Sequence, residues 1–158
     1  CPMPICVPRR SAAALLLAAL LAAPGSARAD RCDDTAAQLK AQIEGLSIGK
    51  TVANTIYLDH PAAKQLRLGC PSRTMSNELF ASADSRKPQP AFYELVASAA
   101  AIVFTIPKPD TLRGAKRCIG RLGLLRGDDI KTRFRRLDIR CNRTKTEASI
   151  SISRGKDE

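Results

Sequence analysis

Residues 130–153, IKTRFRRLDIRCNRTKTEASISIS, alternate between apolar and polar side chains over most of their length. Such alternation is typical of strands that have one buried and one solvated face. The apolar phase begins at Ile130, slips by one residue at Arg135 and Arg136, and returns in residues 148–152. We therefore predict a C-terminal hairpin with a β-bulge at the slip and a turn over residues 142–145.

Strands are also predicted upstream of this hairpin. Residues 50–58 are rich in β-branched side chains, residues 64–70 alternate, and residues 77–83 have a similar composition. The turn between the first two contains His60, and residues 85–90 form a surface loop. These elements predict a small antiparallel sheet of about five strands.

Two helices are predicted around these strands. The first begins at Asp33, carries apolar residues at helical spacing and ends at Gly45 or Gly49. The second runs from Ala91 and is apolar nearly all round, which predicts burial against the sheet. Its last part, residues 102–106, also allows a strand.

A third helix starts at Asp110 as its N-cap, buries an apolar stripe and presents basic residues outward. Helices and strands in this order predict an α+β domain of two to three helices on the sheet.

The first 29 residues resemble a secretory leader in their layout. Arg9 and Arg10 precede the apolar run 12–23, and Ala27 and Ala29 provide the small residues that a signal peptidase reads. We expect cleavage after Ala29, a single domain over residues 30–154 and a disordered tail over residues 155–158. Because the apolar run is too short to span a bilayer, the mature chain is expected to have no transmembrane span and to be periplasmic or secreted, in a bacterium. A buried N-terminal helix is the alternative.

Four cysteines remain after the leader, namely Cys32, Cys70, Cys118 and Cys141. An even number in an exported chain predicts two disulfides. Among the three possible pairings we favour Cys32 with Cys70 and Cys118 with Cys141, because short loops close at the lowest entropic cost. No C-x-x-C motif occurs and the chain has one His, so we predict no metal site and no cofactor.

The positive charge is concentrated near the C-terminus. The whole chain has a formal net charge of +11. Residues 30–107 carry 8 Lys and Arg against 8 Asp and Glu, whereas residues 108–158 carry 15 against 7. The predicted anion-binding residues lie on the third helix and the hairpin: Arg113, Lys116, Arg117, Arg121, Lys131, Arg133, Arg135, Arg136 and Arg140. Arginine suits bidentate contact with phosphate or carboxylate, although a charged outer face also keeps a small protein in solution.

Catalytic signals are weak. Two S-x-x-K spacings occur, Ser47 with Lys50 and Ser153 with Lys156, but neither lies on a convincing helix. The sequence Asp59-His60-Pro61 reads as a turn rather than as a base held by a carboxylate. No spacing singles out an acid/base pair among the remaining carboxylates, for instance Asp128, Asp129 and Glu147.

The leading hypothesis is therefore a small exported protein that is not an enzyme and that binds an anionic envelope component through its basic face. Lipid phosphate, anionic glycan and acidic protein are the candidate partners. Sequence-specific nucleic acid is disfavoured, because the region has almost no aromatic residues for stacking. The alternatives are an enzyme that clamps an anionic substrate with its arginines, and a structural or inhibitor module that pairs with another protein.

Overall fold

The computed structural model places seven antiparallel strands and three helices in the residues that it describes, which are 26–72, 76–123 and 127–155. The elements in chain order are α1 (Ser26–Gln42), β1 (Ser47–Val52), β2 (Thr55–Asp59), β3 (Gln65–Gly69), β4 (Glu78–Ala83), α2 (Pro90–Phe104), α3 (Lys108–Gly120), β5 (Asp129–Phe134), β6 (Leu137–Arg143) and β7 (Ala148–Arg154). The strands follow the order β1-β2-β3-β4-β7-β6-β5 across one sheet. Two meanders therefore meet at the β4–β7 pair, and α2 and α3 connect them. This is the predicted α+β fold.

The helices cover one face of the sheet, and the core lies between the two layers. Alternate strand residues such as Leu68, Ile139 and Ile152 are fully buried under the helices. Phe92 and Val96 of α2 meet them from the other side and are also buried. The intervening strand residues lie on the opposite face, which we call the open face, and are half-buried or exposed apart from the buried Ser82. From β2 to β7 the period-two pattern of the sequence is therefore largely the pattern of burial, whereas the edge strand β1 is exposed throughout.

The sheet has seven strands rather than about five because two short turns divide segments that were predicted to be single strands. Ala53 and Asn54, with φ of 46° and 61°, form the turn between β1 and β2. Positive φ at both central residues is the geometry of a type I′ hairpin turn. Arg135 and Arg136 form the second turn, in which Phe134 pairs directly with the first residue of β6 and Arg135 has a φ of 55°. The predicted bulge was wrong, and the phase slip marks this turn instead.

The helices differ from prediction mainly at their starts. α1 begins at Ser26 instead of Asp33. α2 continues to Phe104 and ends at the left-handed Thr105, with a φ of 55°, so the alternative strand over 102–106 was wrong. α3 begins at Lys108, with Pro107 in the N-cap position. Asp110 lies in the first turn instead, where a carboxylate still complements the helix dipole.

Two disulfides join the helical layer to the sheet, and the favoured pairing is confirmed. Cys32 of α1 bonds to Cys70, which follows β3, and Cys118 of α3 bonds to Cys141 of β6. Both bridges therefore fix a helix at a defined position over the strands.

The ends of the chain are described only in part. Of the predicted leader, residues 1–25 lie outside the described residues and 26–29 are the first residues of α1. Of the predicted tail, Gly155 is buried and its N–H donates to the Arg136 carbonyl at 3.1 Å, whereas residues 156–158 lie outside the described part. Within that part, no helix is both long and apolar enough to cross a bilayer.

Candidate anion-binding surface

α3 presents a basic stripe to solvent. Gly114, Ala115, Cys118 and Ile119 are buried against the sheet and α2. The opposite side of α3 is exposed and carries Arg113, Lys116, Arg117 and, just after the helix, Arg121. Three of these arginines follow one another at i, i+4 and i+8, so at about 1.5 Å per residue they form a stripe roughly 12 Å long on one face.

The turn between β5 and β6 extends this stripe. The Arg135 Nε lies 3.7 Å from the Asp110 Oδ2 in the first turn of α3. Two helical turns further on, the Arg117 guanidinium lies 5.8 Å from the centre of the Phe134 ring. The turn and the helix therefore form one continuous surface, the α3 basic surface, made of Arg113, Lys116, Arg117, Arg121, Arg135 and Arg136.

This surface is poorly neutralised. Its one carboxylate partner among the described residues is Asp110, which pairs with both Arg113 and Arg135. Lys116, Arg121 and Arg136 form no ion pair with any part of the chain that the structure describes. Six cations that share one carboxylate produce a positive field that an anionic partner can neutralise.

The remaining strand cations of the predicted set, Lys131, Arg133 and Arg140, lie on the open face instead. Their neighbours Thr132 and Ile139 point toward α3, and alternate strand residues point to opposite faces. The nine predicted residues are therefore divided between two opposite sides of the sheet.

The open-face cations have local partners. Arg140 Nε donates to Asp129 Oδ1 at 2.9 Å, and Lys131 Nζ lies 3.9 Å from Asp138 Oδ2. The hydrogen bond from Arg140 lowers the pKa of Asp129 below its ordinary value. The Arg133 guanidinium lies over the backbone of Gly155. Because most of this charge is compensated within the sheet, the open face is a weaker general anion-binding surface than α3.

Arg67 of β3 is an open-face cation that the sequence analysis missed. Its guanidinium carbon lies 4.0 Å from the centre of the Phe80 ring on the neighbouring strand. The sequence shows only a polar residue between Leu66 and Leu68, which every half-buried strand contains, so no signal in the chain distinguishes it.

The candidate catalytic motifs are not assembled into sites. Ser47 and Lys50 lie on the extended edge strand β1, where residues three apart are separated by roughly 10 Å, and Lys50 stacks on the Tyr57 ring at 5.4 Å. Ser153 lies on β7, and its motif partner Lys156 is outside the described residues.

His60 and the three candidate carboxylates are used in structural contacts. The Nδ1 of His60 accepts from the Ala62 N–H at 3.1 Å, so its Nε2, at 3.0 Å from the Glu44 carbonyl oxygen, is the donor. Each carboxylate forms an ion pair with a different cationic side chain: Asp128 with Arg86, Asp129 with Arg140 and Glu147 with Lys64. No two of these three acids share a site.

Residues 26–72, 76–123 and 127–155 contain no group of three or more His, Cys, Asp or Glu placed to hold a metal ion. No protein-family model matches this chain, and no curated protein or solved structure shows significant similarity to it. What the α3 basic surface can bind therefore follows from its own charge and geometry.

Proposed function

We propose that this chain is an exported, disulfide-stapled protein that acts without catalysis by binding an anionic component of the cell envelope through the α3 basic surface. Lipid phosphate and anionic glycan are the partners that this charge suits best, with an acidic protein as the alternative. The observation that carries the proposal is that, of the six cations of this surface, only Arg113 and Arg135 pair with a carboxylate among the described residues, and both pair with Asp110.

The chemistry of the surface supports an oxyanion partner. Five of the six cations are arginines, whose planar guanidinium can donate two parallel hydrogen bonds to one phosphate, sulfate or carboxylate group. Four of the six cations stand on the exposed side of α3 and two on the adjacent β5–β6 turn, so they can contact an extended polyanion at several points. Binding by charge neutralisation is expected to weaken steeply as salt concentration rises.

The scaffold holds these cations at fixed positions. The Cys118–Cys141 disulfide ties α3 to β6, and Arg143 donates to the carbonyls of Ile119 and Leu122 at the end of the helix. A helix anchored in this way loses little conformational freedom on binding, which favours affinity.

Export is part of the proposal and is supported by the cysteine chemistry. Disulfides persist in the periplasm and outside the cell, whereas the bacterial cytosol reduces them. Both bridges lie within the fold, and the leader-like layout of residues 1–29 is consistent with the same compartment.

The alternative of an enzyme that clamps an anionic substrate is not favoured by the structure. A pocket next to the end of α3 is lined by Asp84, Arg86 and Arg143, as a clamp for an anionic substrate would be. Arg143 is however committed to the helix carbonyls, and Asp129, whose pKa is lowered, does not line that pocket.

A module that pairs through an apolar surface also finds little support. The large apolar side chains exposed in the described part of the chain are Ile48 and Val52. They lie opposite Leu58 and Thr55 respectively, which places them on different faces of β1. They therefore do not form a common patch.

The test is binding to heparin and to anionic liposomes by two charge-reversal variants. Lys116→Glu/Arg121→Glu changes the α3 basic surface. Lys40→Glu/Lys50→Glu makes the same change in net charge on α1 and β1, at the opposite edge of the sheet. We expect the first variant to lose retention on both ligands and the second to keep most of it. Equal losses in the two variants would show that net charge alone drives binding, and this would contradict the proposal.

A further inference from the structure

We propose that a pocket on the open face, between the β1–β2 turn and strands β3 and β4, binds a small zwitterion of the amino-acid type. Arg67 would hold the carboxylate of this ligand and Glu78 its ammonium group. The pocket lies on the side of the sheet opposite the helices, so the proposal is independent of the α3 basic surface.

The first observation is that Arg67 forms no ion pair within residues 26–72, 76–123 and 127–155. Its guanidinium instead stacks on an aromatic ring, with the guanidinium carbon 4.0 Å from the centre of the Phe80 ring. Other open-face cations, such as Arg140 and Lys131, do have carboxylate partners. The ring fixes the plane of the guanidinium, and the side chain lines the pocket.

The second observation is that this arrangement costs stability. Three buried side-chain polar atoms in the described part of the chain have no hydrogen-bond partner, namely Arg67 Nε, Ser82 Oγ and Arg143 Nε, and of these residues Arg67 lines this pocket. A buried donor left unpaired costs about 1–3 kcal/mol. Groups of this kind are uncommon in folded proteins and call for an explanation, and a ligand-binding role for this guanidinium supplies one.

The third observation is a carboxylate in the same pocket that does not pair with Arg67. Glu78 lies diagonally across the strands from Arg67, and its Oε1 accepts from the Ser151 hydroxyl. It forms no ion pair with the described residues. The position directly opposite Glu78 is Gly69, whose missing side chain opens space between the two charged groups.

The size and lining of the pocket define the ligand class. Its volume is about 210 Å³, below the roughly 300–1,000 Å³ of pockets for drug-sized ligands. Asn54, Thr55 and Ser76 add polar groups to the wall. A dianion such as phosphate would be repelled by Glu78, whereas a ligand that carries one carboxylate and one ammonium group complements both charges.

The experiment is titration of the full chain with L-alanine, followed by amide chemical shifts in NMR, with acetate, methylammonium and inorganic phosphate as partial probes. We expect L-alanine to shift amides of β3 and β4, and each partial probe to bind at least about tenfold more weakly, because it can satisfy only one of the two charges. No shift at about 10 mM L-alanine, a concentration that detects even millimolar affinity, would overturn the proposal. Phosphate or acetate that binds as tightly as alanine would also overturn it.

Three variants locate the interaction. Glu78→Gln keeps the shape of the side chain and an acceptor for Ser151, and is expected to weaken alanine binding about tenfold or more without weakening acetate. Arg67→Gln should abolish the binding of both alanine and acetate. If that variant fails to fold, the alanine and acetate affinities of Glu78→Gln test the proposal without it. Arg140→Gln removes a cation from the same face outside the pocket, so its alanine affinity should match that of the wild type. Unchanged alanine binding in Glu78→Gln would contradict the zwitterion assignment, and none of these results bears on heparin binding by α3.

Discussion

Gly114 of α3 lies directly against Ile139 of β6, so that a Cβ atom at position 114 would stand only 2.9 Å from Ile139 Cδ1. The same atom would be 3.2 Å from the Phe134 ring. The absence of a side chain at Gly114 therefore sets how closely α3 approaches the hairpin. This distance also places Arg117 over Phe134 and the Arg135 turn beside Asp110.

Gly114→Ala is expected to destabilise the fold by roughly 1–2 kcal/mol. Overpacking costs about 1–3 kcal/mol, and the better helix propensity of alanine returns up to about 1 kcal/mol. Gly120→Ala is the matched control, because nothing lies within 4 Å of a Cβ at that position, and it should be neutral or slightly stabilising. Urea denaturation of both variants measures the difference. Equal stability of the two would contradict the close contact.

Loss of either disulfide is expected to lower the free energy of unfolding by roughly 3–4 kcal/mol. The bridges close loops with sequence separations of 38 and 23 residues, and the loop-entropy relation gives values in this range for both. The variants are Cys32→Ser/Cys70→Ser and Cys118→Ser/Cys141→Ser, each compared with the wild type in urea. Peptide mapping without reduction checks the pairing itself, and a Cys70–Cys118 peptide would refute it.

Arg143→Met should destabilise the protein by about 1.5–3 kcal/mol. The Arg143 Nη1 lies 3.0 Å from the Leu122 carbonyl oxygen and Nη2 lies 3.3 Å from that of Ile119. Hydrogen bonds from charged donors contribute about 1.5–3 kcal/mol. The Ile119 carbonyl also accepts from the Leu122 N–H at 3.1 Å, so Arg143 adds a second donor there and binds the Leu122 carbonyl just beyond the end of α3. Arg136→Met, at an exposed turn position, controls for the general effect of losing an arginine. A thermal melt that does not distinguish the two variants would show that this cap contributes nothing.

Tyr93 of α2 is expected to ionise above the ordinary tyrosine pKa. Burial raises the pKa of Tyr93, and the nearby positive charge of Arg143 offsets part of the rise. Because the unfolded chain ionises first, the contribution to stability is complete below about pH 10 and is lost as the pH rises through the folded-state pKa. Absorbance titration of the Tyr57→Phe variant isolates Tyr93, with N-acetyltyrosinamide as the reference. A midpoint at or below that of the reference would contradict the burial of this hydroxyl.

The strands, their buried faces and the disulfide pairing could be predicted from the sequence alone. Apolar residues at every second position, such as Leu66 and Leu68 or Ile150 and Ile152, predict both the strand and its buried face. Every second side chain of a strand points to the same face of the sheet, so the apolar positions identify the face that is removed from water. The favoured disulfides were also correct. Loop entropy and the packing of neighbouring elements lead to the same pairing in this fold.

The undercounted strands have one cause. Neither missed turn carries the usual Asn-Gly or Asp-Gly pair, since the first uses Ala53 with Asn54 and the second uses Arg135 with Arg136. Asn-Gly or Asp-Gly would have revealed them. Without such residues, a hairpin is difficult to distinguish from one longer strand or from a bulge.

The candidate site could be predicted only in part. Exposure of Arg113, Lys116, Arg117 and Arg121 follows from helical spacing alone. Which side of the sheet α3 covers depends on tertiary packing, and this divides the helix cations from those of the strands. The contact of Arg67 with the Phe80 ring depends on the pairing of β3 with β4, which no local pattern records.

The salt dependence of heparin binding tests the central claim most directly. The measurement is the slope of log affinity against log salt concentration for the wild type, for Arg121→Gln on the α3 basic surface, and for Lys50→Gln on β1. If α3 neutralises the polyanion, Arg121→Gln should reduce the slope by roughly one, as for loss of one phosphate contact, while Lys50→Gln leaves it unchanged. A wild-type affinity that does not vary with salt, or equal slopes for Arg121→Gln and the wild type, would contradict the account.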